Sequence, residues 1–497
     1  MKDKKRPNML LITLDCLRYD ALHCNGEQSV ITPTFDKLAK NGVSFDRNYC
    51  PYPLCMPSRS SILTGRYPMA HGVWTNGVEL NENEISLVEV LRDNGYQTSC
   101  FGKFHFKPYR NKLTEPDLLE NRQVNMDGIG WLKEAPDEPS HYKGFEVVKF
   151  ADNTPNCDYH AWFDEKNKEY GYKESLAIEE IAVEQRKFSW VSKMPAELTK
   201  TDWICNEAKE YFDKKLDRDR PFFSWISILD PHLPYNPPEE FAKMLENAKV
   251  RKPYGFDKGI PERPKHYTKW FDYIYKHFGS KQDVLDNWQD IIRRYWAKVT
   301  HADDRVGKLL DFLESQGLLE NTIVVVTSDH GTMLCDHQMI ACGPHSFEGN
   351  VHIPLIWHAP GIIKESVRRN ELVSLVDLLP TFFDIAGIQL PLGVQGKSYK
   401  GLLTGEKYEK RRNLIIESRM GQDLTGFKTI ITDGGWKMAV YTNRVDGELY
   451  NLNEDPEEIN NLFYDESYND KKLELFREFA YELLLLEDPL PVRTSDF

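Results

Sequence analysis

The sequence predicts an α/β fold in which a large mixed sheet is sandwiched by helices and followed by a smaller C-terminal antiparallel-sheet subdomain. Short, nearly continuous apolar runs alternate with helical patterns up to about residue 400, as expected of buried strands covered by helices on both faces. Beyond that point the pattern changes to four closely spaced strand-like runs and one helix. The chain has 497 residues, 40% of them hydrophobic and 28% charged, enough for one large domain plus a small one. The expected division is a main domain at 1–400 and a C-terminal α+β subdomain at 401–497.

Taken in order, Met9 to Leu14 reads as the first strand and ends at Asp15. A helix begins at Thr34 and stops at Gly42; a second begins at the capping residue Ser86 and stops at Gly95. Gln97 to Phe101 and Phe222 to Leu229 are further buried strands. Val306, Leu309, Leu310 and Leu313 form the i, i+3, i+4, i+7 face of an amphipathic helix ending at Gly317. Ile323 to Thr327 and Pro354 to Trp357 add two more strands. Residues 107–220 and 236–285, rich in Pro, Lys, Glu and aromatics with weak periodicity, are expected to be insertions over the sheet edge. Leu414 to Glu417, Lys428 to Thr432, Trp436 to Tyr441 and Glu448 to Leu452 are spaced like an antiparallel meander, with a helix around Lys471 to Leu486.

The formal net charge of -14 disfavours nucleic acid and anionic membrane surfaces as partners, so an anionic substrate needs local positive charge. No apolar run approaches the roughly 18 residues that span a bilayer. Lys2, Lys4, Lys5 and Arg6 resemble the start of a signal peptide, but Met9 to Leu14 is too short for its apolar core, and the expected location is cytoplasmic. Nine cysteines without CxxC pairs suggest neither a disulfide framework nor a zinc knuckle.

Ligands in open α/β sheets bind beyond the carboxyl ends of the strands. There the sequence places Asp15, then Lys103 and His105, then Asp230 and His232, then Asp329 and His330. Any one of these is ordinarily a cap or turn residue. Four strand ends carrying ionisable groups to one edge instead describe a site. Asp15 and Asp329 offer the hard oxygens, and His330 the nitrogen, that suit a divalent cation. In Cys55-Met56-Pro57-Ser58-Arg59, Pro57 and Ser58 suit the first turn of a helix, whose N-terminus favours an anion.

That segment, followed by Thr64-Gly65-Arg66, resembles the C-x-P-S-R signature of the type I, formylglycine-dependent sulfatases of the alkaline phosphatase superfamily. Asp15 matches the family's first metal aspartate, and Ser328-Asp329-His330-Gly331 its second metal pair. Gly102-Lys103-Phe104-His105 is similar to its G-K-W-H, and Asp230-Pro231-His232 to its D-P-H. Trp436-Lys437, Glu448 to Leu452, Asp455-Pro456 and Asn460-Asn461-Leu462 are similar to its C-terminal sheet.

The resemblance implies an alkaline-phosphatase-like fold and hydrolysis of a small-molecule or sugar sulfate ester. It implies a formylglycine made from Cys55 by a formylglycine-generating or radical maturase. It also implies one divalent metal, Ca2+ first with Mn2+, Mg2+ or Fe2+ as alternatives, on Asp15, Cys55, Asp329 and His330. The implied catalytic residues are Cys55, Arg59, Lys103, His105 and His232, with His232 protonating the leaving oxygen and His105 assisting sulfate release. Substrate contacts fall to Lys103, His232 and Asn76; for Asn76 an Asn-Gly turn is the competing reading, and His71 is a weaker candidate.

The pattern departs at two positions. Cys16 stands where many members have a second aspartate, and Cys342, before Gly343-Pro344-His345, stands where a sulfate-gripping lysine is common. His337 or His345 is the expected substitute for that charge. Two rival readings follow: a phosphonate monoester or phosphodiester hydrolase of the same superfamily, and a non-catalytic relative that binds sulfated glycans. The aromatic clusters Tyr159, His160, Trp162, Phe163 and Tyr267, Trp270, Phe271, Tyr273, Tyr275 are read either as a ring-stacking surface or as core.

Overall fold

A computed structural model describes residues 6–106, 143–152, 157–170, 188–261, 264–363, 366–420, 425–488 and 490. The strands are β1 (Asn8–Leu14), β2 (Val43–Phe45), β3 (Asn48–Tyr49), β4 (Gln97–Gly102), β5 (Val147–Phe150), β6 (Phe222–Ile228) and β7 (Thr322–Ser328). They continue with β8 (Leu355–His358), β9 (Val367–Arg369), β10 (Val373–Ser374), β11 (Asn413–Met420), β12 (Thr425–Thr432), β13 (Trp436–Tyr441) and β14 (Gly447–Asn451). Eight of them form one sheet in the order β5-β4-β6-β1-β7-β8-β2-β9. β4, β6, β1 and β7 run parallel, whereas β8 is antiparallel to β7 and β2, so the sheet is mixed as expected.

The unbroken apolar run of β1 follows from its central place. Leu10, Ile12 and Leu14 enter one core, while Met9 and Leu11 enter the core on the opposite face, the period of two expected of a strand. Burying each such side chain contributes about 1.5–3 kcal/mol. Helices Lys200–Lys214 and Lys281–Ser315 share the first core; helices Cys55–Thr64, Leu87–Asp93 and Leu378–Ala386 share the second. Register then fixes the site: Leu14 pairs with both Ile228 and Ser328, and Gly102 pairs with Ser227, so the residues that follow four strands emerge side by side.

Two expectations need correction. The region 107–220 is not simply an insertion, since β5 forms one end of the sheet and helix Lys200–Lys214 packs on β4 and β6. The amphipathic stripe at Val306 to Leu313 belongs to a helix of 35 residues that begins in the second supposed insertion, where the Ser280 side chain accepts the Asp283 N–H. Residues 107–142, 153–156 and 171–187 of the first region, and the basic start through Lys5, lie outside the described residues.

The C-terminal meander folds as β11-β12-β13-β14, antiparallel throughout. Ile415, Ile430, Met438 and Leu449 pack on Leu475 and Phe479 of helix Asn469–Leu485, and also on Tyr67 and Val376. Leu414, Ile416 and Ile431 face the second core of the large sheet. Among the described residues no helix is long and apolar enough to cross a membrane.

Candidate active site

Cys55 opens the helix Cys55–Thr64, which Gly65 ends in a left-handed cap. Helix and strand ends are clamped together where the Ser58 hydroxyl donates to the Asp329 carbonyl at 2.6 Å. The buried Cys55 Sγ lies 3.1 Å from His330 Nε2, 3.5 Å from Lys103 Nζ and 3.7 Å from Asp15 Oδ1. Lys103 Nζ also donates to Asp15 Oδ2 at 2.6 Å. Arg59, fully buried, donates from Nε to Asp329 Oδ2 at 2.8 Å and from Nη1 to the Ser227 hydroxyl and the Lys103 carbonyl. Lys103 reaches this position because β4 ends in Gly102, whose φ of 107° is left-handed and whose missing Cβ would meet the Ser227 carbonyl oxygen at 1.9 Å.

Electrostatics follow from this packing. Burial alone would raise the Asp15 carboxyl, but Lys103, His232 and Arg59 outweigh it and hold it well below the usual range. Burial would lower Lys103 and His330, yet Asp15 raises the first and Asp329 with Cys55 raises the second. Burial, with Asp15, pushes the Cys55 thiol up. Asp15, Cys55, Asp329 and His330 present ligand atoms within 4.8 Å of one another, a set able to hold a divalent ion. Cys55 Sγ stands in for the oxygen that conversion to formylglycine would put there. Arg59 Nη2 is buried without a hydrogen-bond acceptor, 3.8 Å from Asp15 Oδ2.

His232 follows β6 and is half-buried, and its Nδ1 lies 2.6 Å from the Leu233 carbonyl oxygen, leaving Nε2 for the site. Burial lowers its imidazole, and that of His105 to about 3, with Lys103 adding to both shifts. Asn76 is exposed at a turn and its Oδ1 accepts the Met56 N–H at the start of the Cys55 helix. His71 is structural: it is buried, with Nε2 3.0 Å from the Ser61 hydroxyl and Nδ1 accepting the Val73 N–H.

Two expectations fail on burial. His345 is fully enclosed among Tyr267, Phe271 and Phe347, and burial drives its imidazole well below the usual range. His337 stacks on Phe347, and burial lowers it too, so neither replaces the missing lysine charge. Of the two readings of the aromatic clusters, the core one holds for Tyr159, Phe163, Tyr267, Phe271 and Tyr275, with Tyr159 donating to the Leu198 carbonyl and Tyr267 to Glu448.

The two departures from the family pattern lie together. Cys16, Cys342 and His330 present ligand atoms within 4.8 Å of one another. The neighbouring Cys16 brings the Cys342 thiol down to about 7 against burial, with His330 assisting.

Sequence reasoning missed the groups that position the site. Lys298 donates to the His232 and Pro234 carbonyls and pairs with Asp230 at 2.9 Å; His301 lies between Asp230 and Asp202; Tyr295 donates to the Cys16 carbonyl at 2.8 Å. Tyr295, Lys298, Ala302 and Arg305 follow the 3–4 residue spacing of one helix face, and polar groups on an otherwise apolar face were the available signal.

Residues 7–388 match the family model described as Sulfatase, and residues 345–482 match that of the C-terminal part of N-sulphoglucosamine sulphohydrolase. The chain belongs to the sulfatase family. As a family member it is a sulfuric ester hydrolase. It is 29% identical to an arylsulfatase of Clostridium perfringens, over 94% of this chain and 92% of that one. It is 26% identical to an N-acetylglucosamine-6-O-sulfatase of Bacteroides thetaiotaomicron, over 96% and 86%. The fold is shared with the phosphonate monoester hydrolase of Agrobacterium radiobacter at a TM-score of 0.79, 22% identity and coverage of 99% and 98%. It is also shared with a protein solved with its substrate D-glucosamine-2-N,6-O-disulfate, at a TM-score of 0.71, 21% identity and coverage of 99% and 100%.

Proposed function

We propose that this sulfatase cleaves a sugar sulfate monoester through a formylglycine derived from Cys55 and one divalent metal ion on Asp15, residue 55, Asp329 and His330. The observation that carries the reading is the position of Cys55 Sγ at a helix N-terminus, 3.1 Å from His330 Nε2 and 3.5 Å from Lys103 Nζ. Charge supports it: two carboxylates and the permanent cations Lys103 and Arg59 cancel, so a divalent ion leaves room for one alkoxide and one monoanionic ester. When present, the ion supplies the positive charge that acidifies the attacking hydroxyl, and the formylglycine hydrate supplies that hydroxyl and a second one to expel sulfate.

The chain's own groups do the rest. Arg59, locked by Asp329 and Ser227, keeps an Nη2 that lacks a hydrogen-bond acceptor and lies 3.8 Å from Asp15 Oδ2, available to an oxygen on residue 55. Lys103 neutralises charge growing on the transferred sulfuryl oxygens while Asp15 holds its ammonium in place. His232 Nε2 donates a proton to the leaving alcohol oxygen once the anionic ester has raised its pKa, and His105 assists sulfate release. The free amide NH2 of Asn76 contacts substrate, its Oδ1 being committed to the helix. The main domain, 1–400, carries this chemistry and 401–497 braces it.

The sugar class is taken from the N-acetylglucosamine-6-O-sulfatase and the D-glucosamine disulfate complex. Calcium is the first expectation for the ion; the imidazole in the ligand set keeps Mn2+, Mg2+ and Fe2+ as alternatives. A phosphonate monoester reading is kept because the chain shares that hydrolase fold and lacks the two expected charges at Cys16 and Cys342. A purely glycan-binding role is disfavoured by an oxidisable cysteine held against metal-ligating groups. The test is co-expression with and without a maturase, peptide mass analysis of residue 55, metal analysis, and turnover of matched aryl sulfate, sugar sulfate and aryl phosphonate esters. A converted, metal-loaded enzyme that cleaves only the phosphonate would overturn the sulfate assignment.

A further inference from the structure

We propose that Cys16 and Cys342 form a reversible disulfide, a redox modification site set beside Asp15 and His330. The two cysteines are far apart in the chain, but Cys16 lies just past β1 and Cys342 in the segment that follows its sheet neighbour β7, and their sulfurs lie within 4.8 Å of each other. A disulfide brings two sulfurs to about 2.05 Å, so closing this bond requires the pair to approach further by side-chain rotation and movement of the Cys342 segment. Their exposures suit an attacking and a resolving thiol: Cys342 is half-buried and reachable by a small oxidant, whereas Cys16 is 4% exposed. A soft-metal site on the same pair is disfavoured, because His330 Nδ1 is already 2.8 Å from the Gly331 carbonyl oxygen and Nε2 faces Cys55.

The reaction balances with a low-molecular-weight disulfide as oxidant. Cys342 attacks one of its sulfurs, forming a mixed disulfide and releasing one thiol; Cys16 then displaces the second thiol. Two protein thiols are oxidised, the small disulfide is reduced to two thiols, and the two protons leave with them. The consequence for the site is local. Cys16 loses the S–H that faces Asp15 Oδ1 at 3.3 Å, and its backbone N–H, 3.3 Å from Asp329 Oδ1, is dragged with it. Oxidation therefore disturbs both carboxylates at once.

This proposal does not depend on which ester is cleaved, and its primary readout is covalent. Full-length protein is incubated with glutathione disulfide, remaining thiols are alkylated, and the unreduced digest is mapped. The expected product is a peptide pair joining Cys16 to Cys342 that disappears with dithiothreitol and is absent from Cys342→Ser and Cys16→Ser. Turnover should be lost on oxidation and recovered on reduction in the wild type, and Cys342→Ser should resist the loss. Alkylation of both cysteines without a cross-link, a bond from Cys16 to Cys55 instead, or one-to-one Cd2+ binding by the pair without any cross-link would each overturn the proposal.

Discussion

Two clusters of buried charge hold this molecule together and have opposite characters. At the strand ends, Asp15, Asp329, Lys103, Arg59 and His330 surround Cys55, and a guanidinium nitrogen is left without an acceptor. At the seam between the two sheets, Lys437 of β13 is 2.9 Å from Glu348 and 2.7 Å from Glu458, while His352 and Tyr49 also reach Glu348. Burial of charge is common to both. Each also holds a buried polar atom without a hydrogen-bond partner, Arg59 Nη2 in the first and Glu458 Oε1 in the second; two carboxylates, a thiol and an imidazole converging on one point mark only the first, so convergence of ligand atoms distinguishes a site that receives a ligand from a structural lock.

The sharpest way to break that distinction is at residue 55. Cys55→Ala should lower turnover by about 10⁴-fold or more while leaving thermal unfolding close to the wild type, read by sulfate release and calorimetry on the same sample. The seam should respond in the opposite sense. Burial, reinforced by Glu348 and opposed by Lys437, raises the Glu458 carboxyl to about 8, so Lys437→Met strands chiefly the buried Glu348 carboxylate and should cost about 3–5 kcal/mol in denaturant unfolding, with turnover per folded molecule unchanged; a selective loss of turnover would place Lys437 in the site.

Next comes the acid. His232→Ala should slow sugar sulfates by about 10²-fold and nitrophenyl sulfate far less, since a good leaving group needs no proton; equal losses on both substrates would remove the general-acid role. The smallest effect concerns pH. Burial would raise the Glu348 carboxyl, but Lys437 and His352 bring it to about 2 from the usual 4.5. A depressed folded-state value stabilises the protein above the unfolded-state value, and that contribution is lost as pH falls from about 4.5 through about 2. Acid unfolding of Glu348→Gln should therefore be less steep over that window; an unchanged slope would mean that Glu348 is not linked to folding.

β1, β4, β6, β7, β8 and the proposed nucleophile were legible because each is local, whereas the short β2, β5 and β9 of the same sheet were not read. Five apolar runs were long enough to mean burial on both faces, and Cys55 to Arg59 is contiguous. The small sheet was read for the same reason. The first half of helix Lys281–Ser315 was not, because its charged and aromatic residues hide a periodicity that becomes clean only at Val306. Lys298 and Tyr295 escaped because their role is to hold backbone carbonyls of residues distant in sequence, His232 and Cys16, which no local pattern encodes. His337 and His345 misled because nearness in sequence to Cys342 said nothing of the aromatic enclosure supplied by Tyr267, Phe271 and Phe347.

The register of β1 between β6 and β7 also sets a clock. During synthesis β1 and the Cys55 segment emerge long before the strands that flank β1. His330, the residue that closes over Cys55, follows it by 275 positions. At about 5–20 residues per second, the ribosome takes on the order of tens of seconds to deliver it. Until then the thiol that ends up 3% exposed has no pocket to hide in, so the maturation proposed for Cys55 would have the interval the topology leaves open.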